Sequence, residues 1–341
     1  MKSTDNRKNI HILNRVLIGT VICIVVLFAI FVILLIKQDR EMDLSQPYSP
    51  RAAENSGKGS EFSLQKAPAF ASGLCVSEGA VVLPDVMLQG NTEKGLLFNL
   101  DTGEALFAQG IYDQAYPASI TKIMTAILAV KYGTMEDQVV MAEGDFALEE
   151  GSQVSGMAAG DIVTMDQLFH ALVVYSANDA AMAIARQIGG TVDHFVEMMN
   201  EEALALGMTG THFVNPHGLH DGSHYTTAYD VYLMLNEAFR YSAFTDAIQM
   251  NMYQLKVTRG DGSQVSFRLD STDKYLTGEK TAPKNVNLLG GKTGTTSEAG
   301  ACLAIIAQNA YGVPYMAVIL NADNRSILYE DMNKLLMQIN S

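Results

Sequence analysis

The 341-residue chain is short of positive charge, of cysteine and of repetition, and each shortage narrows what it can do. Lysine and arginine number 23 against 37 aspartates and glutamates, for a net charge of −14. The first 36 residues run the other way. Lys2, Arg7, Lys8 and Arg15 against Asp5 give +3 there, which leaves −17 on the remainder. Binding to nucleic acid or to anionic lipid draws its affinity from Lys and Arg, so a body this acidic matches neither, and no nucleic-acid partner is expected. There are only three cysteines. Cys23 lies in an apolar run, and Cys75 and Cys302 allow one bridge at most, with two free thiols the simpler expectation. No internal repeat is found.

Residues 16–36, VLIGTVICIVVLFAIFVILLI, lack any charge. A helix of that length spans a bilayer core of roughly 30 Å. The run also lacks the marks of a cleaved signal peptide. It exceeds the usual apolar region of about 7–15 residues. It ends directly in Lys37-Gln38-Asp39-Arg40, and the nearest Ala-x-Ala, Ala69 to Ala71, lies far downstream. The expected layout is a cytoplasmic N-terminus over 1–15, a single transmembrane anchor over 16–36, a flexible linker over 37–79 and a folded domain over 80–341. The excess of Lys and Arg before the run keeps the N-terminus in the cytoplasm, which puts the acidic body outside the cell membrane.

Within the body, GLLFNLDTGEALFAQG predicts a β-hairpin, with Asp101-Thr102-Gly103 as the turn. A helix starts near Ser119 and stops at Gly133, read as a glycine just past the helix end. Thr164 caps a second helix, SANDAAMAIARQIGG carries a third, and 191–206 a fourth. NLLGGKTGTT, ACLAIIAQNA and PYMAVILNAD read as consecutive strands before a last helix at 326–339. The expected class is α+β: one sheet built from N- and C-terminal strands, with an all-helical insertion.

Chemistry concentrates in three short stretches. Ser119 and Lys122 are three apart and share a helix face. Lys122 lies among apolar residues, and desolvation lowers an ammonium pKa, so it can be neutral and act as a base. A serine beside a base is an activated nucleophile. Ser176-Ala177-Asn178 follows an apolar helix, and Lys292-Thr293-Gly294 sits on a strand. Ser-x-x-Lys, a Ser-x-Asn element and Lys-Thr-Gly, in that order, form the motif set of β-lactamases and penicillin-binding proteins.

PASITKIMTA, YSANDAAMAIA, FVNPHGL and GGKTGTTSEAG together resemble stretches of the serine D-alanyl-D-alanine carboxypeptidases, the low-molecular-mass penicillin-binding proteins. The likeness covers about 80–340. It implies a β-lactamase/transpeptidase-like fold and trimming of peptidoglycan stem pentapeptides. The implied roles are Ser119 as nucleophile, Lys122 as its base, Ser176 as proton relay to the departing D-alanine, and Asn178 as holder of the substrate amide and the lysine. Lys292 would bind the terminal carboxylate, with Thr293, Gly294 and Thr295 beside it, and the N–H groups of Ser119 and Thr295 would form the oxyanion hole. β-Lactams would be covalent inhibitors, and no cofactor or metal is implied.

The chain departs from the family in two ways. Ala177 stands where glycine or aspartate is usual. After Lys292 little chain remains for the second β-rich domain and C-terminal anchor of many members, so the anchor is expected at the N-terminus. Three rival readings compete with this one. A β-lactamase needs a deacylating glutamate in a Glu-x-x-Leu-Asn setting, and none of Glu201, Glu202 and Glu237 has it. A non-catalytic penicillin sensor would not need intact motifs. His212, His217, His220 and His224, with Asp221 and Asp230, fall close enough to evoke a zinc peptidase, but in a Gly/Pro/Ser-rich loop without fixed ligand spacing.

Overall fold

Strands from both ends of the folded body complete one sheet, and that closure sets where everything else can go. The computed structural model of the protein describes residues 74–340, apart from 78, 85 and 91. The expected anchor at 16–36 and nearly all of the linker at 37–79 lie outside these residues. Among the described residues no helix is long and apolar enough to cross a membrane.

In chain order, β1 (Lys94–Asn99) and β2 (Ala105–Gln109) form the expected hairpin, and α1 (Lys122–Tyr132) follows. Short strands β3 (Gln138–Val140) and β4 (Ile162–Thr164) precede α2 (Met165–His170), which continues as a π-turn over Ala171–Tyr175. Then come α3 (Asn178–Gly189), α4 (Val192–Ala205), α5 (Ala228–Ala238) and α6 (Ser242–Ile248). Strands β5 (Met252–Thr258), β6 (Gln264–Asp270), β7 (Asn287–Thr296), β8 (Gly300–Gln308) and β9 (Pro314–Ala322) lead to α7 (Arg325–Met337). Thr164 caps α2 as expected, accepting the Gln167 N–H while the Gln167 amide oxygen accepts the Thr164 N–H.

The main sheet is antiparallel, in the order β2-β1-β9-β8-β7. Its central strands are apolar on both faces because both faces are covered. On β8 and β9, Leu303, Ile305, Ala317 and Ile319 pack with Leu328, Met332, Leu335 and Leu336 of α7. Their neighbours Ala304, Ile306, Met316 and Val318 point the other way, into a larger core with Ile123, Ile127, Tyr232 and Leu235. Cys75 and Cys302 are both buried free thiols.

The insertion is not all-helical. A second antiparallel sheet, β3-β4-β5-β6, flanks the helices. β3 and β4 have three residues each, too few to show a period. β5 and β6 do show one: MYQLKVT and QVSFRLD alternate apolar and polar residues, a strand signal that the all-helical expectation for this region passes over. Gly133 also differs from expectation. Its backbone is extended (φ −92°), not left-handed. Glycine is needed there because a Cβ would lie 2.6 Å from the Ala129 carbonyl oxygen.

A carboxylate pair joins the start of β1 to α7. Glu93 is buried, with Oε2 accepting the Gly90 N–H, while Asp331 accepts the Gln89 N–H at 2.7 Å. Burial, aided by the Asp331 charge, pushes Glu93 up to about 7. The folded state therefore holds a proton that the unfolded chain gives up near 4.5. This contribution to stability is complete at low pH and lost as pH rises through about 7. Glu93→Gln is expected to melt with the wild type at pH 4 and above it at pH 8. Parallel thermal melts at the two pH values check this, and an equal Tm difference at both would exclude the assignment.

Candidate active site

Ser119 sits on a tight 3-10 turn, Ala118–Thr121, that runs straight into α1. Lys122 opens the α-helix proper, three residues after Ser119, where the helix start is expected. The turn is held by close backbone packing. Ala118 has a positive φ of 47°, and its carbonyl oxygen would lie 1.9 Å from a Cβ on Gly218. On the other side, a Cβ on Gly294 of β7 would lie 2.8 Å from the Pro117 oxygen and 3.0 Å from the Ser119 nitrogen. Glycine at both positions lets the loop and the strand grip the turn.

The Lys122 Nζ donates to Ser119 Oγ at 2.8 Å and to the His217 carbonyl at 2.7 Å. Lys122 is 1% exposed. Burial lowers its pKa well below the ordinary lysine value, nearby Lys292 adds to this, and Asp179 opposes it. The second serine is presented by strain. The π-turn ends at Ser176 in the left-handed region, φ 66°, a conformation that costs on the order of 1 kcal/mol in a non-glycine residue. There its hydroxyl accepts from the Lys292 Nζ at 2.9 Å. Lys292 is buried on β7 and also donates to the Thr293 carbonyl at 3.2 Å. Burial pushes it down to about 7, against an upward pull from Asp273. Each serine is thus paired with one buried lysine, and the two lysines lie near enough for the Lys292 charge to act on Lys122.

Residues 85–324 match the sequence profile of peptidase family S11, D-alanyl-D-alanine carboxypeptidase. The chain belongs to the D-alanyl-D-alanine carboxypeptidase family. It is 28% identical over 260 residues to the D-alanyl-D-alanine carboxypeptidase DacF of Bacillus subtilis, covering 73% of this chain and 62% of that one. With DacD of Escherichia coli the figures are 32% over 250 residues, 71% and 61%. The chain therefore spans only about three fifths of the length of these two relatives, 62% and 61%. The crystal structure of the Streptomyces K15 DD-transpeptidase superposes with a TM-score of 0.65 at 25% identity, covering 76% of this chain and 98% of that one. The mixed α/β architecture is that of the penicillin-binding proteins.

Other residues of this family member take distinct places around the two pairs. Asn178 is buried at the start of α3, where its N–H donates to the Gln153 carbonyl. Among the described residues no hydrogen bond joins its side chain to Lys122. Thr293 Oγ1 donates to Thr272 Oγ1 at 2.6 Å, and Thr295 Oγ1 donates to the Gly294 carbonyl at 2.7 Å. Thr295 and Thr296 line a cleft of about 330 Å³ together with Ser152, Leu219 and His220.

The histidine-rich loop is a support, not a metal cage. His224 Nδ1 accepts the Val214 N–H, so its Nε2–H donates to Thr121 Oγ1 at 2.8 Å. His217 Nδ1 accepts from the Leu219 N–H, and His220 packs edge-on to Tyr116. Burial pushes His217 down to about 3 and His224 down to about 4, so both are neutral at pH 7. Asp230 Oδ2 accepts from the Gly210 N–H and the Thr211 hydroxyl, and its own N–H donates to Thr227 Oγ1 at the start of α5. Among the described residues no three His, Cys, Asp or Glu side chains converge on a metal site. The set-aside glutamates lie elsewhere too. Glu202 and Glu237 clasp Lys131, at the far end of α1 from Lys122.

Sequence reasoning missed three contributors. The His217 carbonyl fixes Lys122, and the signal for it is Gly218, which allows the loop against Ala118. Asp179 accepts from the Ser155 N–H and hydroxyl and so anchors the loop beside Asn178. Asp273 is buried behind β7 without a motif of its own.

Gly294 supplies a direct test of the grip on the turn. If Ser119 is the residue that a β-lactam acylates, as the motif set implies, Gly294→Ala is expected to slow labelling by a fluorescent penicillin at least about tenfold, because displacements near 1 Å at a reacting centre cost up to about a hundredfold. Overpacking here is expected to lower stability by about 1–3 kcal/mol. Labelling kinetics and a denaturant melt read the two effects, and wild-type labelling would show that the turn tolerates displacement.

Proposed function

We propose that the protein is a membrane-anchored serine D-alanyl-D-alanine carboxypeptidase that removes the terminal D-alanine of peptidoglycan stem pentapeptides through an acyl-enzyme. The observation that carries this reading is the buried Lys122 ammonium site 2.8 Å from Ser119 Oγ. A lysine stripped of water favours its neutral amine, and a neutral amine at that distance is a base for the serine proton. Family membership supplies the substrate class. The uncharged run at 16–36 supports the anchor, with the catalytic body outside the membrane.

In this reading the peptide's terminal carboxylate pairs with Lys292, flanked by the hydroxyls of Thr293 and Thr295, with Gly294 lying close to the turn. Asn178 holds the substrate amide. Lys122 takes the Ser119 proton as Oγ bonds to the carbonyl carbon between the two D-alanines. The carbonyl oxygen becomes an oxyanion, and the N–H groups of Ser119 and Thr295 receive it. The packing of Gly294 against the Ser119 nitrogen supports bringing those two donors together. As the C–N bond breaks, Ser176 passes a proton to the leaving amine, replenished by the Lys122 ammonium. Water then attacks the ester and releases Ser119. A β-lactam presents a similar carbonyl and carboxylate, so it acylates the same serine.

Ser119→Ala is expected to lower D-alanine release from a pentapeptide by several orders of magnitude, as loss of a nucleophile does. Mass spectrometry of the peptide after incubation decides it, and near-normal release would remove the acyl-enzyme. The Lys122 role has its own signature. The rate should fall as pH drops through the depressed lysine value, because the protonated form cannot accept the serine proton. Lys122→Arg is expected to be almost inactive at every pH, since guanidinium stays protonated. An arginine variant with ordinary turnover would reassign the base.

A further inference from the structure

Lys292 needs a positive charge to hold a carboxylate, yet it is buried where charge is costly. Its Nζ donates only to Ser176 Oγ and the Thr293 carbonyl, both neutral. Something else must favour the ammonium form. The loop between β6 and β7 supplies one buried carboxylate, Asp273, which is 1% exposed. The loop is fastened to the site on three sides. Thr272 receives the Thr293 hydroxyl bond at 2.6 Å, and the Thr272 N–H donates to the Val174 carbonyl, two residues before Ser176. From α7, Tyr329 donates to Asp273 Oδ1 at 3.2 Å and accepts the Lys274 N–H at 2.9 Å. Oδ1 also accepts the Tyr275 N–H at 3.0 Å. Oδ2 is buried and has no hydrogen-bond partner among the described residues.

An orphaned buried carboxylate oxygen is costly unless an opposite charge lies near. We propose that Asp273 is a positioning residue for the carboxylate site: it is the buried counter-charge that keeps Lys292 an ammonium ion. The inference rests on the functional reading above, in which Lys292 binds the substrate's terminal carboxylate. Three observations favour it. Burial raises Asp273 to about 6 and lowers Lys292 to about 7, and against that burial each of the two groups moves the other toward its charged form. The Thr272–Thr293 bond ties the neighbours of Asp273 and Lys292 together. The remaining charged and titratable neighbours do not substitute for it. Lys122 repels the Lys292 charge, Tyr275 and Tyr329 stay neutral, and Arg325 acts on Tyr329. Asp179 acts on Lys122. The arrangement also gives α7 a part in binding, because Tyr329 holds the carboxylate that charges the lysine.

The test is the pH profile of kcat/KM for the full-length protein releasing D-alanine from a peptide ending in D-Ala-D-Ala. Loss of Asp273 makes Lys292 give up its proton at lower pH. In Asp273→Asn the alkaline limb should therefore move down by about one pH unit or more, the size of one close opposite charge. At a pH above that limb KM should rise while kcat changes little, and Asp273→Glu should move the limb back. A peptide with an amidated C-terminus should show no such shift, because it has no carboxylate to bind. Folded Asp273→Asn with the wild-type limb overturns the inference. If that variant does not fold, Tyr329→Phe removes one bond to Oδ1 and should move the limb in the same direction, and an unmoved limb overturns it equally. A wild type that releases no D-alanine would instead sink the functional reading, and the inference with it.

Discussion

Burying a lysine is the constraint on which this structure turns. An ammonium ion taken out of water loses several kcal/mol of hydration unless partners replace it, and the fold supplies Lys122 with only a serine hydroxyl and the His217 carbonyl. Two neutral oxygens suit an amine better than an ammonium. The surroundings are neutral for the same reason: His217 and His224, both buried nearby, are pushed well below the ordinary imidazole value. Adding a second buried lysine, Lys292, discourages charge on the first. Each lysine has one carboxylate acting on it, Asp179 on Lys122 and Asp273 on Lys292, and both favour the charged form against the burial that opposes it.

This demand explains much of the architecture. Lys122 is covered because α1 runs through the core with nearly every residue buried. Ser119 reaches the cleft because a 3-10 turn, tighter than the helix it leads into, carries it to the surface of that core. The turn cannot relax outward, since β7 and the 215–218 loop close on it at glycine contacts. β7 is an edge strand of the main sheet, so one side pairs with β8 and the other faces the cleft. The N–H and C=O groups on a free strand edge are of the kind an extended peptide backbone pairs with. The sheet is rigid where it matters because β8 and β9 are packed on both faces.

The second sheet and the histidine loop show how supporting structure escapes a reading by motif. β5 and β6 pair along their whole length and alternate apolar with polar residues, but they carry no motif that singles them out. The four histidines look like ligands when counted along the chain. In the fold His212, His217 and His224 place ring nitrogens against backbone and hydroxyl partners, and His220 packs edge-on to Tyr116. A residue type announces what chemistry it is able to do, while its partners are chosen by residues far away in sequence.

The sequence by itself determined the elements with strong local signals and the three motif segments that carry Ser119, Lys122, Ser176, Asn178 and Lys292. The strand at 314–322 follows from a short continuous apolar run and the helix at 325–337 from periodicity and capping, signals that act between neighbours. Only the tertiary structure decided that the left-handed Ser176 meets Lys292, that the His217 carbonyl meets Lys122, and that Asp273 lies behind β7. Those contacts join residues up to 116 positions apart. Their energies come from burial and from the loss of water around charge, which depend on what surrounds a group in space and leave no mark on the spacing of residues along a chain.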